Sequence, residues 1–182
     1  IGGAIRMNAG GAFGSIGDAV EAVACLSKSG EVNVYPKSEL HFEYRSTNIP
    51  DGIVLWAVFH VTPTDPVELR SRVKEIFAWK KSTQPLGEKT AGCMFKNPVQ
   101  PGGEERTSAG KIIDQVGLKG LRVGTAEVSP IHANFITIDR GGRADDAIAL
   151  AEEVVRQVKS ECGIELEREV VVWRRGEETS TI

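Results

Sequence analysis

Two prolines within five residues divide this chain. The segment TPTDP at 62–66 cannot lie inside a strand or helix, because proline has no backbone N–H and its ring restricts φ. The first turn of a helix tolerates proline, so Asp65 is a candidate N-cap with Pro66 as the first helical residue. Strand-like sequence precedes this break, and mixed helix and strand patterns follow it. We therefore predict an α+β chain with two domains, residues 1–62 and 63–182.

The first domain is expected to be rich in strands. Residues 2–14 (GGAIRMNAGGAFG) contain five glycines and predict a loop that can approach a ligand closely. Residues 18–34 favour two strands joined by a turn, and another strand-like run follows at 39–45. The continuous apolar run at 52–61 predicts a strand that is buried on both faces.

The second domain is expected to combine helices and strands. Helices are predicted at 66–81, at 109–116 with Ser108 as N-cap and at 144–159 before Gly163. The first of these has an apolar stripe that predicts a buried face, formed by Val67, Leu69, Val73, Ile76 and Phe77. Strands are predicted at 92–96, 126–128, 134–138 and 164–173.

Composition argues against several classes of function. The net charge is −3, whereas nucleic-acid-binding domains are generally basic. No apolar run approaches the roughly 20 residues that a membrane helix needs. Three cysteines without CxxC spacing favour a reducing compartment and predict no metal site. Because the chain opens on Ile1-Gly2 without an initiator methionine, we expect it to be part of a longer protein.

Six segments carry a family resemblance through their joint presence and order. They are GGAIRMNAGGAFG (2–14), YRS (44–46), QP with AGCMFKNP (84–85 and 91–98), SAGKIIDQVGLKG (108–120), VSPIHANF (128–135) and LEREV (166–170). Each segment alone is a weak signal, because glycine-rich loops and helix caps are common. Together they resemble the UDP-N-acetylenolpyruvoylglucosamine reductase (MurB) family.

The resemblance implies a cytoplasmic flavoenzyme that uses FAD and NADPH. Its substrate would be UDP-N-acetylglucosamine enolpyruvate and its product UDP-N-acetylmuramate, a precursor of peptidoglycan and so of cell-wall growth, cell shape and cell division. Residues 1–62 would end a strand-rich FAD-binding domain of the vanillyl-alcohol-oxidase (PCMH) type, whose earlier FAD-binding segment is missing from this chain. Residues 63–182 would form an α+β substrate-binding domain. The short segment between Arg45 and Cys93 is similar to the compact branch of the family, which lacks an extra subdomain.

The glycine-rich segment is the implied cofactor site. By its residues alone it is a plain turn, since it lacks the strand-GxGxxG-helix arrangement of a Rossmann site. Its backbone N–H groups are suited to an anionic ligand. The resemblance implies FAD contacts by Gly2, Gly3, Ala4, Asn8, Gly10, Gly11 and Arg45.

Three residues are implied as catalytic, and each also has an ordinary structural interpretation. Arg45 is either an exposed strand-end arginine or, by resemblance, a guanidinium beside the flavin and the substrate carboxylate. Cys93 is either a small core thiol or the proton donor, at a position where the family commonly has serine; that role requires the protonated thiol. Glu169 is either a solvated strand residue or, by resemblance, a catalytic residue whose carboxyl group enters the active site, while Glu167 on the same strand face has no implied role.

Substrate contacts are implied for three further residues. They are Tyr44, Lys81 and Asn97, with Lys80 as an open alternative to its neighbour. A lysine is a natural point charge for a diphosphate. His132 also matches a family position, but a histidine in a loop before a strand is more often structural, so no catalysis is assigned to it.

Two other functions compete with the reductase. The first is a non-catalytic relative or fragment that binds a UDP-sugar or a flavin without chemistry. The second is a transferase in which His132 activates Cys93 as a nucleophile. The sequence gives no evident third residue to orient that pair.

Overall fold

The computed structural model describes residues 1–99, 103 and 105–173. The chain forms two compact units, the first ending at Pro66 and the second beginning at Val67. The predicted domain boundary lies at 62/63, and the identity of each unit as a functional domain remains a prediction. Among the described residues, no helix combines the length and the apolar character that crossing a membrane requires.

The first unit contains a short helix, a three-stranded antiparallel sheet and two small hairpins. Its elements are α1 (Gly2–Arg6), β1 (Gly10–Gly11), β2 (Gly14–Ser15), β3 (Val20–Leu26), β4 (Val32–Pro36), β5 (Phe42–Glu43), β6 (Ser46–Thr47) and β7 (Ile53–Phe59). The two strands expected over 18–34 are confirmed as β3 and β4. Strand β3 is central and pairs with β4 on one side and β7 on the other. The core comprises Ile5, Val20, Val23, Cys25, Leu40 and Ile49.

Residues 2–6 form a helix, so the loop predicted from their glycine content is wrong there. Ile5 is completely buried and anchors the turn in the core of the unit. Gly2 fits because a Cβ at that position would lie 3.3 Å from the Val54 Cβ of β7. Burying an isoleucine contributes about 1.5–3 kcal/mol, which offsets the poor helix propensity of glycine, about 1 kcal/mol per residue.

Two further expectations for the first unit are wrong. Residues 39–45 form no single strand, because a 3₁₀ turn at Lys37–Glu39 is followed by the two-residue strand β5. Strand β7 is not buried on both faces: the side chains exposed on it include Ile53 (64%), Leu55, Trp56 and Val58. Only the other side of β7 packs against the core of this unit, through Val54, Ala57 and Phe59. An apolar run indicates a strand but does not reveal whether a second layer covers its outer face.

The second unit places two helices against a four-stranded antiparallel sheet. The elements in this part of the chain are α2 (Pro66–Thr83), β8 (Lys89–Cys93), α3 (Ala109–Gln115), β9 (Arg122–Val123), β10 (Ala126–Val128), β11 (Phe135–Ile138) and α4 (Ala144–Cys162). The strand order is β8-β11-β10-β9. Apolar residues of α3, α4 and the sheet form one core, whose largest side chains include Phe95, Ile113 and Leu150.

Local signals predicted α3 and α4 well. Ser108 is the N-cap of α3, and its Oγ accepts the Lys111 N–H at 3.3 Å. Helix α4 ends before Gly163, which has a φ of 69° and so adopts the left-handed conformation that glycine favours. The apolar face predicted for this helix is buried at Leu150, Ala151, Val154 and Val158.

Helix α2 exists as predicted, but its apolar stripe is not buried. Val67, Leu69, Val73 and Phe77 are all exposed, the last at 61%. The spacing of apolar residues predicts which side of a helix is apolar, but not whether a neighbouring element covers that side.

The strands predicted at 92–96 and 164–173 are also corrected. Strand β8 spans Lys89–Cys93, and beyond it only an isolated antiparallel bridge joins Phe95 to Arg168. This pairing is short because the partner segment reaches Pro98, which has no N–H to extend a ladder.

Candidate functional site

Tyr44 and Arg45 form the two-residue turn of a hairpin in the first unit. Strands β5 and β6 pair through Glu43 and Ser46, on either side of that turn. Arg45 has a φ of 56°, which is unfavourable for a residue with a side chain. Its guanidinium carbon lies 4.9 Å from the centre of the Tyr44 ring, in a cation–π contact. The turn therefore holds a half-buried arginine against an aromatic ring in a strained backbone conformation.

Asn8 connects the glycine-rich segment to this hairpin. Its buried side chain donates from Nδ2 to the Glu43 carbonyl at 3.0 Å, and its Oδ1 accepts the Gly17 N–H at 3.0 Å. Asn8 also has a positive φ, 42°. The fold thus brings one residue expected to contact the cofactor next to the turn of Tyr44 and Arg45. Asn8 itself acts here through structural hydrogen bonds.

The remaining residues predicted to contact the cofactor are mostly glycines, which offer only backbone atoms for contact. Gly2, Gly3 and Ala4 lie in the first turn of α1, and Gly10 and Gly11 form β1 of the adjacent hairpin. A Cβ on Gly3 or Gly11 would meet no atom within 4 Å. Backbone left uncovered at these glycines can be approached closely by a ligand.

In the second unit, Cys93 is the last residue of β8. It pairs with Phe135 of β11, and its side chain is half-buried. Gly92 precedes it with a φ of 93°. The ladder between β8 and β11 is irregular at this end, because the register shifts between Phe135 and Thr137. Cys93 therefore lies where the strand leaves the regular sheet, as residues at functional positions often do.

Glu169 lies beside this end of β8. Its N–H donates to the carbonyl of Met94 at 2.8 Å, so its backbone is hydrogen-bonded to the residue that follows Cys93. Burial follows the predicted alternation only at Leu166, which is buried, and Glu167, which is exposed; residues 168–170 are all half-buried. Glu167 forms an ion pair with Lys96, whereas Arg168, whose side chain is only 11% exposed, pairs with Glu152 at 3.3 Å. The backbones of the segments that carry Cys93 and Glu169 are thus paired within the second unit.

Asn97 has a structural contact in addition to its predicted substrate role. Its Oδ1 accepts the N–H of Ala109, the first residue of α3, at 3.0 Å. The Arg106 guanidinium donates to the Asn97 backbone carbonyl at 2.7 Å. The side-chain oxygen of Asn97 therefore accepts one of the N–H groups at the start of α3 that have no acceptor within the helix.

Lys81 lines a cavity of about 380 Å³ in the second unit. Phe77 and Ile131 contribute apolar surface to it, and Gln84 adds an amide. A second cavity, about 360 Å³, includes Asn97 together with Lys96 and Arg106. A larger one, about 430 Å³, lies along α4 and the 165–168 segment and includes neither Cys93 nor Asn97 among its lining residues. The cavity with Lys81 also includes Glu88, and the cavity with Asn97 also includes Glu165 and Glu167, so both linings carry charges of either sign.

The surroundings of His132 support a structural role. Its Nδ1 accepts the Asn134 N–H at 3.2 Å, which requires the neutral ring at that nitrogen. Burial lowers the pKa of the His132 imidazole below its ordinary value, consistent with the neutral form. The ring packs edge-on against Phe135, with centroids 4.8 Å apart, and lies against Gly110 of α3. These contacts leave little support for His132 as the activating base of a cysteine nucleophile.

Asn134 is the residue whose importance the sequence did not reveal. It lies in the motif VSPIHANF, but no role could be assigned to it from its spacing. It is buried, and its side-chain amide is hydrogen-bonded to both backbone groups of Phe95. A buried asparagine beside two matched motifs is the signal that could have identified it.

Comparison with known proteins gives a consistent assignment. Residues 84–173 match the family described as UDP-N-acetylenolpyruvoylglucosamine reductase, C-terminal domain. The reductase of that name from Bradyrhizobium sp. (strain ORS 278) is 39% identical over 171 residues, which cover 93% of this chain and 54% of the relative. The one from Trichlorobacter lovleyi is 41% identical, covering 97% and 57%.

A solved structure agrees with these relatives. The crystal structure of UDP-N-acetylenolpyruvylglucosamine reductase (MurB) from Thermus caldophilus is similar with a TM-score of 0.74 and 42% identity, covering 92% of this chain and 59% of that one. The chain spans about half the length of the curated relatives it matches. Sequence and fold agree over nearly all of the chain, and it belongs to the UDP-N-acetylenolpyruvoylglucosamine reductase (MurB) family.

Proposed function

We propose that the protein containing this chain is an NADPH-dependent FAD enzyme that reduces the enolpyruvyl group of UDP-N-acetylglucosamine enolpyruvate to give UDP-N-acetylmuramate. The observation that carries the proposal is the pairing of the Cys93 and Glu169 segments in a domain of this family. A proton donor and a carboxylate held by one short pairing suit the protonation of a carbon atom. The enzyme would act in the cytoplasm and supply peptidoglycan for cell-wall growth and cell division.

Residues 1–62 are proposed as the end of the FAD-binding domain, of the vanillyl-alcohol-oxidase (PCMH) type. The backbone N–H groups of Gly2, Gly3 and Ala4, with those of Gly10 and Gly11 in the adjacent hairpin, would contact an anionic part of the cofactor. Asn8 would act by fixing this segment to the hairpin of Arg45. When bound, FAD supplies transfer of a hydride from NADPH to C3 of the enolpyruvyl group.

The chain's own residues would handle the charge and the proton. Addition of hydride at C3 places negative charge on C2 and on the attached carboxylate. Arg45 would stabilise this charge with its guanidinium, and such preorganised groups usually make the largest catalytic contribution. Cys93 would deliver its Sγ proton to C2, with Glu169 assisting that transfer. General-acid catalysis of this kind contributes about 10²–10⁴-fold in rate.

Residues 63–182 are proposed as the substrate-binding domain. Lys81 would bring positive charge to the diphosphate in the cavity that it lines with Phe77. Between the adjacent lysines, this position in the cavity favours Lys81 over Lys80. Tyr44 and Asn97 are proposed as further substrate contacts, the latter through the cavity that it shares with Arg106.

The full-length protein tests this function directly. We expect it to purify with a flavin absorption spectrum and to oxidise NADPH only when UDP-N-acetylglucosamine enolpyruvate is present, forming one UDP-N-acetylmuramate per NADPH. Absorbance at the NADPH band and analysis of the product measure both quantities. A protein that holds flavin but leaves NADPH unoxidised with this substrate is instead the non-catalytic relative. Rapid acyl or alkyl transfer through Cys93 without flavin identifies the transferase.

Glu169 and Glu167 form a matched pair for testing the carboxylate. We expect Glu169→Gln to lower substrate-dependent turnover by about 10²-fold, the lower end for loss of an acid–base group. Glu167→Gln should change turnover by less than about twofold, because the Glu167 side chain is largely exposed in its ion pair with Lys96 and such pairs contribute little. Steady-state NADPH oxidation by the two full-length variants measures the difference. Equal losses in both variants would contradict the role of Glu169.

A further inference from the structure

The side chain of Asn134 holds the backbone of a neighbouring segment. It is buried, with 4% of the residue exposed. Its Oδ1 accepts the Phe95 N–H at 2.9 Å, and its Nδ2 donates to the Phe95 carbonyl at 2.8 Å. The backbone carbonyl of Asn134 accepts the Met94 N–H at 2.8 Å. One residue therefore binds three backbone groups of two consecutive residues.

The side-chain bonds of Asn134 satisfy backbone groups of Phe95 that the neighbouring segment around Arg168 does not reach. Phe95 forms an antiparallel bridge with Arg168. The hydrogen bonds of this bridge, both 2.8 Å, are made by the flanking residues, Lys96 to Glu167 and Glu169 to Met94. In this type of pair, the N–H and C=O of Phe95 itself point away from Arg168. The N–H and C=O groups of Phe95 therefore need hydrogen-bond partners on the side that faces away from Arg168.

The sheet does not supply those partners through another strand. Strand β8 ends at Cys93, and its ladder with β11 is irregular near Phe135. A side-chain amide carries a donor and an acceptor on one carbon, as a peptide group does. Asn134 thus replaces a strand neighbour at the place where the regular sheet stops.

The segment that Asn134 holds lies among the residues to which chemistry is assigned. Cys93 directly precedes Met94, and Asn97 follows soon after Phe95. The N–H of Glu169 is bonded to the Met94 carbonyl. Any movement of Met94 and Phe95 would shift the thiol and the carboxylate relative to each other.

We infer that Asn134 is a positioning residue, which fixes the pairing that sets Cys93 and Glu169 for proton delivery to the substrate. This inference rests on the proposed reductase function. In this role Asn134 touches neither substrate nor cofactor. It acts through the backbone on either side of Phe95.

Two substitutions in the full-length flavoenzyme test the role. For both Asn134→Ala and Asn134→Asp at neutral pH, we expect reoxidation of the reduced flavin by substrate to slow about 100-fold, the effect of roughly 1 Å of misplacement. Reduction of the flavin by NADPH should stay within about twofold, because that step uses neither Cys93 nor Glu169. Stopped-flow absorbance measures the two half-reactions separately.

The aspartate variant adds a pH profile. A protonated carboxyl has an O–H donor and a C=O acceptor, so it can restore both bonds to Phe95, whereas the carboxylate cannot donate. Relative to the wild type, Asn134→Asp should therefore regain reoxidation rate as pH falls through the pKa of the introduced carboxyl. Asn134→Ala should show no such recovery. A residue needed only for folding would lose and regain both half-reactions together, whereas a positioning residue changes reoxidation alone.

A measurement independent of catalysis completes the test. Amide hydrogen exchange at Phe95 and Glu169 should accelerate at least about tenfold in Asn134→Ala, since the bonds that protect this pairing are lost. The control is Thr125→Val, in the turn between β9 and β10. It removes the hydroxyl that donates to Asp146 of α4 at 2.6 Å and accepts the Arg143 N–H at 3.1 Å. Strand β9 forms the opposite edge of the sheet from β8, so exchange at Phe95 should not change in this control.

The outcomes separate the inference from the function on which it rests. If the wild type does not reduce the enolpyruvyl substrate, the proposed function fails, and the assignment of Asn134 to proton delivery fails with it, whatever the exchange data. If the wild type is active, normal reoxidation in Asn134→Ala overturns the positioning role. So does an equal loss in Asn134→Ala and Thr125→Val. Should the alanine variant not fold, the aspartate profile decides: a flat profile overturns the role, and recovery at low pH supports it.

Discussion

Replacing Cys93 with alanine should block the second half of the reaction and leave the first half intact. In the full-length enzyme, Cys93→Ala is expected to be reduced by NADPH at the wild-type rate. Reoxidation by UDP-N-acetylglucosamine enolpyruvate should then slow by about 10³-fold, within the range for loss of a general acid. The reason is that reduction of the cofactor needs no proton from the thiol, whereas protonation at C2 does. Anaerobic stopped-flow measurements of flavin absorbance resolve the two steps.

Two further variants make this prediction specific. Cys93→Ser keeps an O–H donor in nearly the same volume and should retain more of the reoxidation rate than alanine. Cys162→Ala removes an exposed thiol at the end of α4 and should leave both steps unchanged. Equal losses in both half-reactions of Cys93→Ala would show that the substitution damages the fold or the cofactor site instead of proton delivery.

The elements that sequence predicted best are those whose signals are local. Ser108 bonds an amide of its own first turn, and Gly163 ends α4 by its own backbone conformation. Neither feature depends on distant parts of the chain. The apolar face of α4 was also predicted, because an amphipathic helix against a sheet has one side to bury.

The predictions that were wrong concern features that depend on distant parts of the chain. Helix α1 forms because Ile5 is buried by residues far along the chain, which outweighs the local preference of glycine for loops. The exposure of Phe77 on α2 and of Trp56 on β7 depends on which elements cover them, and apolar periodicity carries no such information. The last strand is shortened to one bridge because its partner segment reaches Pro98, which has no N–H to extend the ladder.

Predictions about the candidate site also differ according to whether their signal is visible in the sequence alone. Motif order predicts roles for Cys93 and Glu169, and the backbone bond from Glu169 to Met94 joins the two segments that carry them. Asn134 went without a role because its function appears only when the backbone groups of Phe95 are followed to their partners. Arg45 was interpreted as the end of a strand, whereas it occupies a turn with a positive φ. That conformation leads to the second large prediction.

Arg45→Gly is expected to separate stability from activity. A non-glycine residue in the left-handed region is disfavoured by about 1–2 kcal/mol, and glycine adopts that region without this cost. Loss of the half-buried contact with Tyr44, about 0.5–2 kcal/mol, loss of the other contacts of the Arg45 side chain and the greater freedom of glycine in the unfolded chain offset this gain. The free energy of unfolding should therefore change by no more than about 1 kcal/mol. Chemical denaturation measures it.

The same substitution should slow reoxidation of the flavin by substrate about 10²–10³-fold, because a guanidinium would no longer stabilise the charge that forms on the substrate. Arg45→Lys, which keeps a positive charge without the planar fork, should recover only part of that rate. Asn8→Gly is the matched contrast: it also relieves a positive φ, but it breaks the bonds to Glu43 and Gly17, so its stability should fall. If Arg45→Gly instead loses stability and retains the reoxidation rate, Arg45 is a structural residue of the hairpin. A stable but inactive variant would mean that the strained turn is retained because it presents the guanidinium.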